Sequence, residues 1–236
     1  MKYQLYYWPI YFRGDFIRLI LEDAGVAYQE NSVEELIKIK SLPIKEQPFP
    51  AMAPPFFHDP ENDLFINQMP AIVLYVSNKL NYITNDIVKD NLGLKLVLDC
   101  NDVLAEITNL NGSKMWEHND WKDFRKNRLK KWLEIFEEFG KKYGLGSNSE
   151  TMLGTENITF ADISTYALWG TMTRCIHELR ADLETHAPNI AALCDRISVR
   201  KNISKYLKEK QDIWGNLYCG GQIEKSIRKM IELDKQ

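Results

Sequence analysis

YQLYYWPIYFRGDFIRLILEDAG, from Tyr3 to Gly25, sets the architecture of the amino-terminal part of the chain. Tyr3 to Tyr7 is rich in β-forming aromatics, which suit a pleated surface with one face against a core. After a short link containing Pro9, the apolar residues Phe16, Ile17, Ile20, Leu21 and Ala24 recur at helical spacing. Gly25 suits the end of that helix. Val26 to Asn31 reads as a second strand. The stretch from there to Met52 holds Lys38, Lys40, Lys45 and three prolines and has no clear period, so irregular structure is expected, with room for one helix. Pro55 to His58 and Leu64 to Asn67 are short apolar runs separated by HDPEND, which has the Asp, Pro and Asn composition of a hairpin turn. They are expected to pair antiparallel. Pro70 suits the first turn of a helix, where the N–H has no internal partner, and Ile72, Val73, Tyr75, Val76 and Leu80 follow it. The predicted order is βαβαββα.

Asn81 to Asp90 is polar and reads as a linker, after which the signals are almost wholly helical. The sequence therefore predicts an α/β unit over residues 1–82 and an all-α unit over residues 92–236. In the second unit Trp121, Phe124, Leu129, Trp132, Phe136, Phe139 and Tyr143 make an aromatic stripe whose commoner meaning is core packing. Gly144 to Asn157 reads as a long surface loop. Thr159-Phe160-Ala161-Asp162 then opens a helix with the form of a capping box, and Ile158 and Ile163 stand at the staple positions. Such a cap is worth ~1 kcal/mol, so Asp162 reads as a folding residue rather than a catalytic acid.

Composition narrows the function. With 236 residues, 44% of them hydrophobic, the chain has material for one large core or two modest ones. Thirty Lys and Arg face thirty-three Asp and Glu, a net charge of −3, with the signs interspersed. No basic stripe marks a nucleic-acid partner. The amino terminus meets Arg13 before any signal-like apolar segment forms, and no stretch approaches the ~20 apolar residues of a membrane span. Cys100, Cys175, Cys194 and Cys219 lie far apart, with no CxxC pair and no His spacing suited to zinc. A reduced, cytoplasmic compartment, no membrane partner and no metal site are expected.

Several ordered motifs together resemble the cytosolic glutathione transferases. Tyr7-Trp8-Pro9-Ile10 through Arg13-Gly14 to Arg18 looks like the first strand and helix of the mu, pi and sigma classes. Ala53-Pro54 resembles the link before the third strand, where the family has a cis-proline. Gln68-Met69-Pro70-Ala71-Ile72 is similar to the Gln-Ser-x-x-Ile opening of the third helix, and Thr159-Phe160-Ala161-Asp162 matches the family's capping motif. The resemblance implies a thioredoxin-like first domain, a helical second domain, a homodimer, and glutathione held as co-substrate with no other cofactor. The implied activity is conjugation of glutathione to small apolar electrophiles.

That chemistry needs an activated thiol, because a free thiol of pKa ~8.5 is only slightly ionised at neutral pH. A hydrogen-bond donor aimed at sulfur stabilises the thiolate. Related enzymes use Tyr, Ser or Cys as donor, and here the first serine is Ser32 and the first cysteine Cys100, both past the first strand and helix. Strand alternation puts Tyr3, Leu5 and Tyr7 on one face, and of these only Tyr7 is at the carboxyl end, where ligands of open α/β sheets gather. By its residue type alone Tyr7 is also one more β-forming aromatic. The resemblance makes it the catalytic residue.

Further glutathione contacts follow from the same resemblance. They are Trp8, Arg13, Lys45, Met52, Ala53, Pro54, Gln68, Met69 and Asp102, the last reaching across a dimer. Ala53 would pair by strand addition, which uses only main-chain groups, beside a cis bond to Pro54. The Met69 N–H would meet the γ-glutamyl carboxylate at a helix start. Met69 stands where the family has Ser or Thr, so one hydroxyl donor is missing and a weaker grip is expected. The tryptophan that often accompanies the glycyl lysine is absent, and Lys38 and Lys40 remain alternatives to Lys45. Arg13 has Asp15 and Glu61 as alternative partners, and Arg18 is read as structural, facing Glu22. The electrophile pocket is expected at Trp8, Ile10, Met115 and Trp116, with Trp214 or Tyr218 from the tail. A non-catalytic ligand carrier and a glutathione-dependent isomerase or peroxidase are the competing readings. A glutaredoxin-like oxidoreductase lacks its cysteine.

Overall fold

Side-chain alternation along the first strand sorts the amino-terminal residues into two layers. The computed structural model describes residues 2–235. β1 (Tyr3–Tyr6) runs parallel to β2 (Tyr28–Glu30) and antiparallel to β3 (Phe56–Asp59), and β3 pairs antiparallel with β4 (Leu64–Asn67), giving the order β2-β1-β3-β4. Leu5, Tyr7 and Phe57 face α1 (Arg13–Asp23) and α3 (Met69–Lys79) in the main core. Tyr6 and Phe56 point the other way, onto Leu36 of α2 (Val33–Ser41). The turn residues of HDPEND do their work through Asp59, whose carboxylate accepts from the Tyr75 hydroxyl at 2.5 Å, Asn62 at 2.7 Å and the Glu61 N–H at 3.0 Å.

Two expectations change. β2 is shorter than Val26 to Asn31. The stretch thought irregular holds a full helix, α2, closed by a capping box in which Ser32 Oγ accepts the Glu35 N–H at 3.2 Å and the Glu35 carboxylate accepts the Ser32 N–H at 3.0 Å.

Beyond α3 the chain is helical. α4 (Ile87–Ile107) starts at Asp86, whose carboxylate caps the Val88 and Lys89 N–H groups. It ends in a turn where Leu110 and Asn111 are left-handed, at φ 59 and 58. The aromatic stripe runs along a helix continuous from His118 to Lys142 through a π turn at Phe124–Leu129, and Trp121, Phe124, Leu129 and Phe136 are buried, so packing is its role. Asp162 is wholly buried and accepts from the Thr159 N–H at 2.7 Å, the Thr159 hydroxyl at 2.9 Å and the Met152 N–H at 2.6 Å, which ties the preceding loop to its helix. Among the described residues no helix is long and apolar enough to cross a membrane.

Arg18 is buried at the junction of these parts. Its Nη1 donates to the Ile10 carbonyl at 2.7 Å and its Nη2 to the Trp8 carbonyl at 3.1 Å. Its ion partners are Glu30 at 2.8 Å and Asp15 at 3.3 Å, not Glu22, which instead accepts from the Tyr28 hydroxyl. Asp15 also accepts from the Tyr206 hydroxyl at 2.6 Å, across from the helical part. Replacing Arg18 by Met leaves Asp15 charged and buried and two carbonyls unpaired. Arg18→Met is therefore expected to lower the free energy of urea unfolding by ~3–5 kcal/mol. Glu30→Gln, at a partly exposed position, is expected to cost clearly less.

Candidate functional site

Tyr7 follows directly on β1 and is only 6% exposed. Its ring lies against the first turn of α1, where a Cβ added to Gly14 would stand 2.4 Å from Tyr7 Cδ1. Only glycine allows that approach, and it brings the Arg13 backbone N–H onto the Tyr7 hydroxyl. Burial pushes the phenol up to about 12, while the charges of Arg13 and Arg18 and that N–H bond pull against it. At neutral pH Tyr7 is therefore an uncharged phenol with a proton to donate. It opens on a cleft of about 480 Å³ between the sheet end and the helical part.

Of the residues predicted for a glutathione site, Tyr7, Trp8, Arg13, Met52, Ala53, Pro54, Gln68 and Met69 line this cleft. Gln68 has a left-handed φ of 71 and precedes the free N–H groups that open α3. The Met69 side chain is 1% exposed and belongs to the core, so at this position the cleft meets backbone rather than a hydroxyl. The cis peptide lies between Pro54 and Pro55, one residue beyond the predicted Ala53-Pro54 bond. Ala53 keeps an N–H and a carbonyl for strand addition, whereas Pro54 has a carbonyl only.

Other expectations are corrected. Lys45 sits exposed on a short turn away from the cleft, and Lys40, at the end of α2, lines it instead. Asp102 is exposed on α4 and takes no part in the lining. Of the predicted electrophile pocket, Trp8 and Ile10 line the cleft; Met115 and Trp116 do not. Met115 is exposed, and Trp116 packs between Trp121 and Phe124 with its Nε1–H on the Ile107 carbonyl at 2.9 Å. Trp214 is held against Tyr11 and Arg18, and Tyr218 is buried against Phe12, so the tail supplies Cys219 and Ile223 to the wall. Arg13 bonds to neither Asp15 nor Glu61. Its Nε donates to Asn101 at 3.1 Å and its Nη2 to Asn111 at 2.8 Å, and both asparagines line the cleft unforeseen. Among the described residues no three His, Cys, Asp or Glu side chains converge to hold a metal ion.

A mixed four-stranded sheet joined to a helical part, with a polar cleft at the strand ends, defines an enzyme that binds a small ligand against main-chain groups. The family model for the Glutathione S-transferase, C-terminal domain matches residues 92–230. Glutathione S-transferase P 1 of Xenopus laevis is 26% identical over 210 residues, covering 87% of this chain and 92% of that one. Among solved structures, the pi-class glutathione S-transferase of Onchocerca volvulus superposes with a TM-score of 0.73 at 20% identity, over 94% of this chain and 98% of that chain. The glutathione S-transferase from Ascaris lumbricoides gives 0.69 at 20% identity, over 89% and 98%. The chain belongs to the glutathione S-transferase family. Lys40→Ala is expected to raise the KM for glutathione about fivefold, the size of a single exposed ionic contact. Lys45→Ala is expected to leave it within experimental error, and steady-state kinetics on the two variants checks the choice of lysine.

Proposed function

We propose that Tyr7 ionises the thiol of bound glutathione by donating its phenolic hydrogen bond to sulfur. The observation that carries this is a buried phenol, protonated up to about 12, facing the cleft from the end of β1 with the Arg13 N–H bonded to its oxygen. The Arg13 N–H polarises the O–H, which strengthens the bond to a developing thiolate. The thiol proton leaves to solvent, the sulfur attacks the electrophilic carbon, and the leaving group departs with its bonding pair. Tyr7 keeps its own proton throughout.

In this reading the γ-glutamyl carboxylate lies on the Met69 N–H at the start of α3, where unpaired donors and the helix dipole favour an anion. Gln68 contributes beside it, and Ala53 pairs with the cysteinyl backbone. Lys40 meets the glycyl carboxylate. Trp8, Ile10 and Phe12 form an apolar wall for the electrophile. Asp102, exposed on α4, suits a contact to glutathione in a second subunit of a homodimer. The free cysteines, three of them buried, suit a reducing cytoplasm. The buried Met69 side chain, in place of a hydroxyl donor, favours a second reading in which glutathione is held too weakly for turnover and the protein carries ligands instead. Conjugation assays with chlorodinitrobenzene and retention on immobilised glutathione separate the two.

Tyr7→Phe removes one hydrogen bond to a charged acceptor, worth ~1.5–3 kcal/mol, so kcat/KM is expected to fall about ten- to hundredfold. Retention on immobilised glutathione should survive. The rise of kcat/KM with pH, which follows thiol ionisation, should have its midpoint below ~8.5 in the wild type and move upward in the variant. An unchanged rate and an unmoved midpoint in Tyr7→Phe would remove the phenol from the mechanism.

A further inference from the structure

The wall opposite Tyr7 is not apolar. Arg13 Nε and Nη2 are bonded to the Oδ1 atoms of Asn101 and Asn111 at 3.1 and 2.8 Å, and the guanidinium lies over the Phe12 ring with Cζ 4.8 Å from its centroid. A guanidinium has donors only, so both amides must turn oxygen toward Arg13 and NH2 away from it. Neither NH2 group, nor Arg13 Nη1, has a hydrogen-bond partner among the described residues. Asn111 reaches this position because its turn is left-handed, φ 58, a conformation that Asn tolerates. The three residues thus hold one another in place and present unpaired donors, with no acceptor among them.

Charge points the same way. Although the chain as a whole carries −3, the cleft is lined by the cations Arg13 and Lys40 and, among the described residues, by no Asp or Glu. Donors without acceptors, beside a fixed positive charge, match a planar anion with two oxygens, and Arg binds carboxylates in this manner. The apolar side chains of Phe12, Ile10 and Ile223 border the same region. We infer that Arg13, Asn101 and Asn111 form a carboxylate-binding subsite, and that the preferred electrophile joins an acidic group to an apolar body. This rests on the transferase reading above and narrows its substrate class.

The experiment compares chlorodinitrobenzene with the chlorodinitrobenzoate that adds a carboxylate to the same reactive ring. In both, the glutathione sulfur forms a bond to the carbon bearing chlorine, chloride leaves with the bonding electrons, and the thiol proton goes to solvent. Asn101→Asp and Asn111→Asp keep an oxygen for Arg13 but replace the NH2 donors with negative charge, and Asn111→Gly preserves the left-handed turn while deleting the amide. Referring each variant to wild type cancels the differing intrinsic reactivity of the two electrophiles. The ratio of kcat/KM for benzoate over benzene is expected to fall about tenfold in each Asp variant and about threefold in Asn111→Gly, the scale of losing hydrogen bonds to a charged group. The KM for glutathione should stay within about twofold of wild type, since its carboxylates are bound elsewhere. An unchanged ratio overturns the inference. So does a rise in the glutathione KM that is equal for both electrophiles, because the donors would then serve the peptide. Failure of the wild type to turn over either compound instead overturns the transferase reading itself, and the inference with it.

Discussion

One guanidinium fixes the geometry on which the cleft depends. Arg18 closes the bend between β1 and α1 by binding the carbonyls of Trp8 and Ile10, the two residues flanking Pro9. These carbonyls belong to neither the sheet ladder nor the helix, and without a buried donor they would carry a desolvation cost of ~1–3 kcal/mol each. Arg18 needs charge compensation in turn, and Asp15 and Glu30 supply it from α1 and β2. The bend, the helix start and the second strand are thereby fixed relative to one another. Tyr7, just before the bend, inherits a defined position.

The packing of Tyr7 against Gly14 then joins position to electrostatics. A phenol exposed to water would exchange partners freely; one buried against the first turn of α1 meets a backbone N–H at a fixed place. Burial alone disfavours the phenolate, which keeps the proton where a thiolate acceptor needs it. The neighbouring positive charges of Arg13 and Arg18 also stabilise an anion brought into the cleft. Proton retention by tyrosine and proton loss by a thiol are thus favoured by the same surroundings, because the two groups begin from such different intrinsic acidities.

Local chemistry made much of the fold readable. The aromatic strand at Tyr3, the hairpin around Asp59, the start of α3 at Pro70 and the Asp162 cap each depend on residues within a few positions of one another. α2 escaped because prolines and lysines obscured its period, although Ser32 and Glu35 carry the spacing of a capping box. Recognising that helix would have brought Lys40, in its last turn, ahead of Lys45. The partners of Arg13 had no such signal: Asn101 and Asn111 lie 88 and 98 residues away, and only the packing of α4 against the sheet domain brings them together. Trp116 shows the opposite difficulty. An aromatic side chain suits a ligand wall and a core equally, and the sequence holds nothing to distinguish them.

The main core does not stop at the junction of the sheet and the helices. It passes from Leu5 and Phe16 through Leu96 and Val97 to Ile203 and Ile231, and the Tyr206 hydroxyl on Asp15 and the Arg200 pair with Asp23 seal its flank. A boundary knitted this closely allows little independent motion on either side, so the cleft cannot gape by hinging one half from the other. Small molecules must enter and leave by the solvent-facing mouth. The two walls are also bound to a shared history, because a graft that replaced either one alone would have to rebuild the seam beneath it.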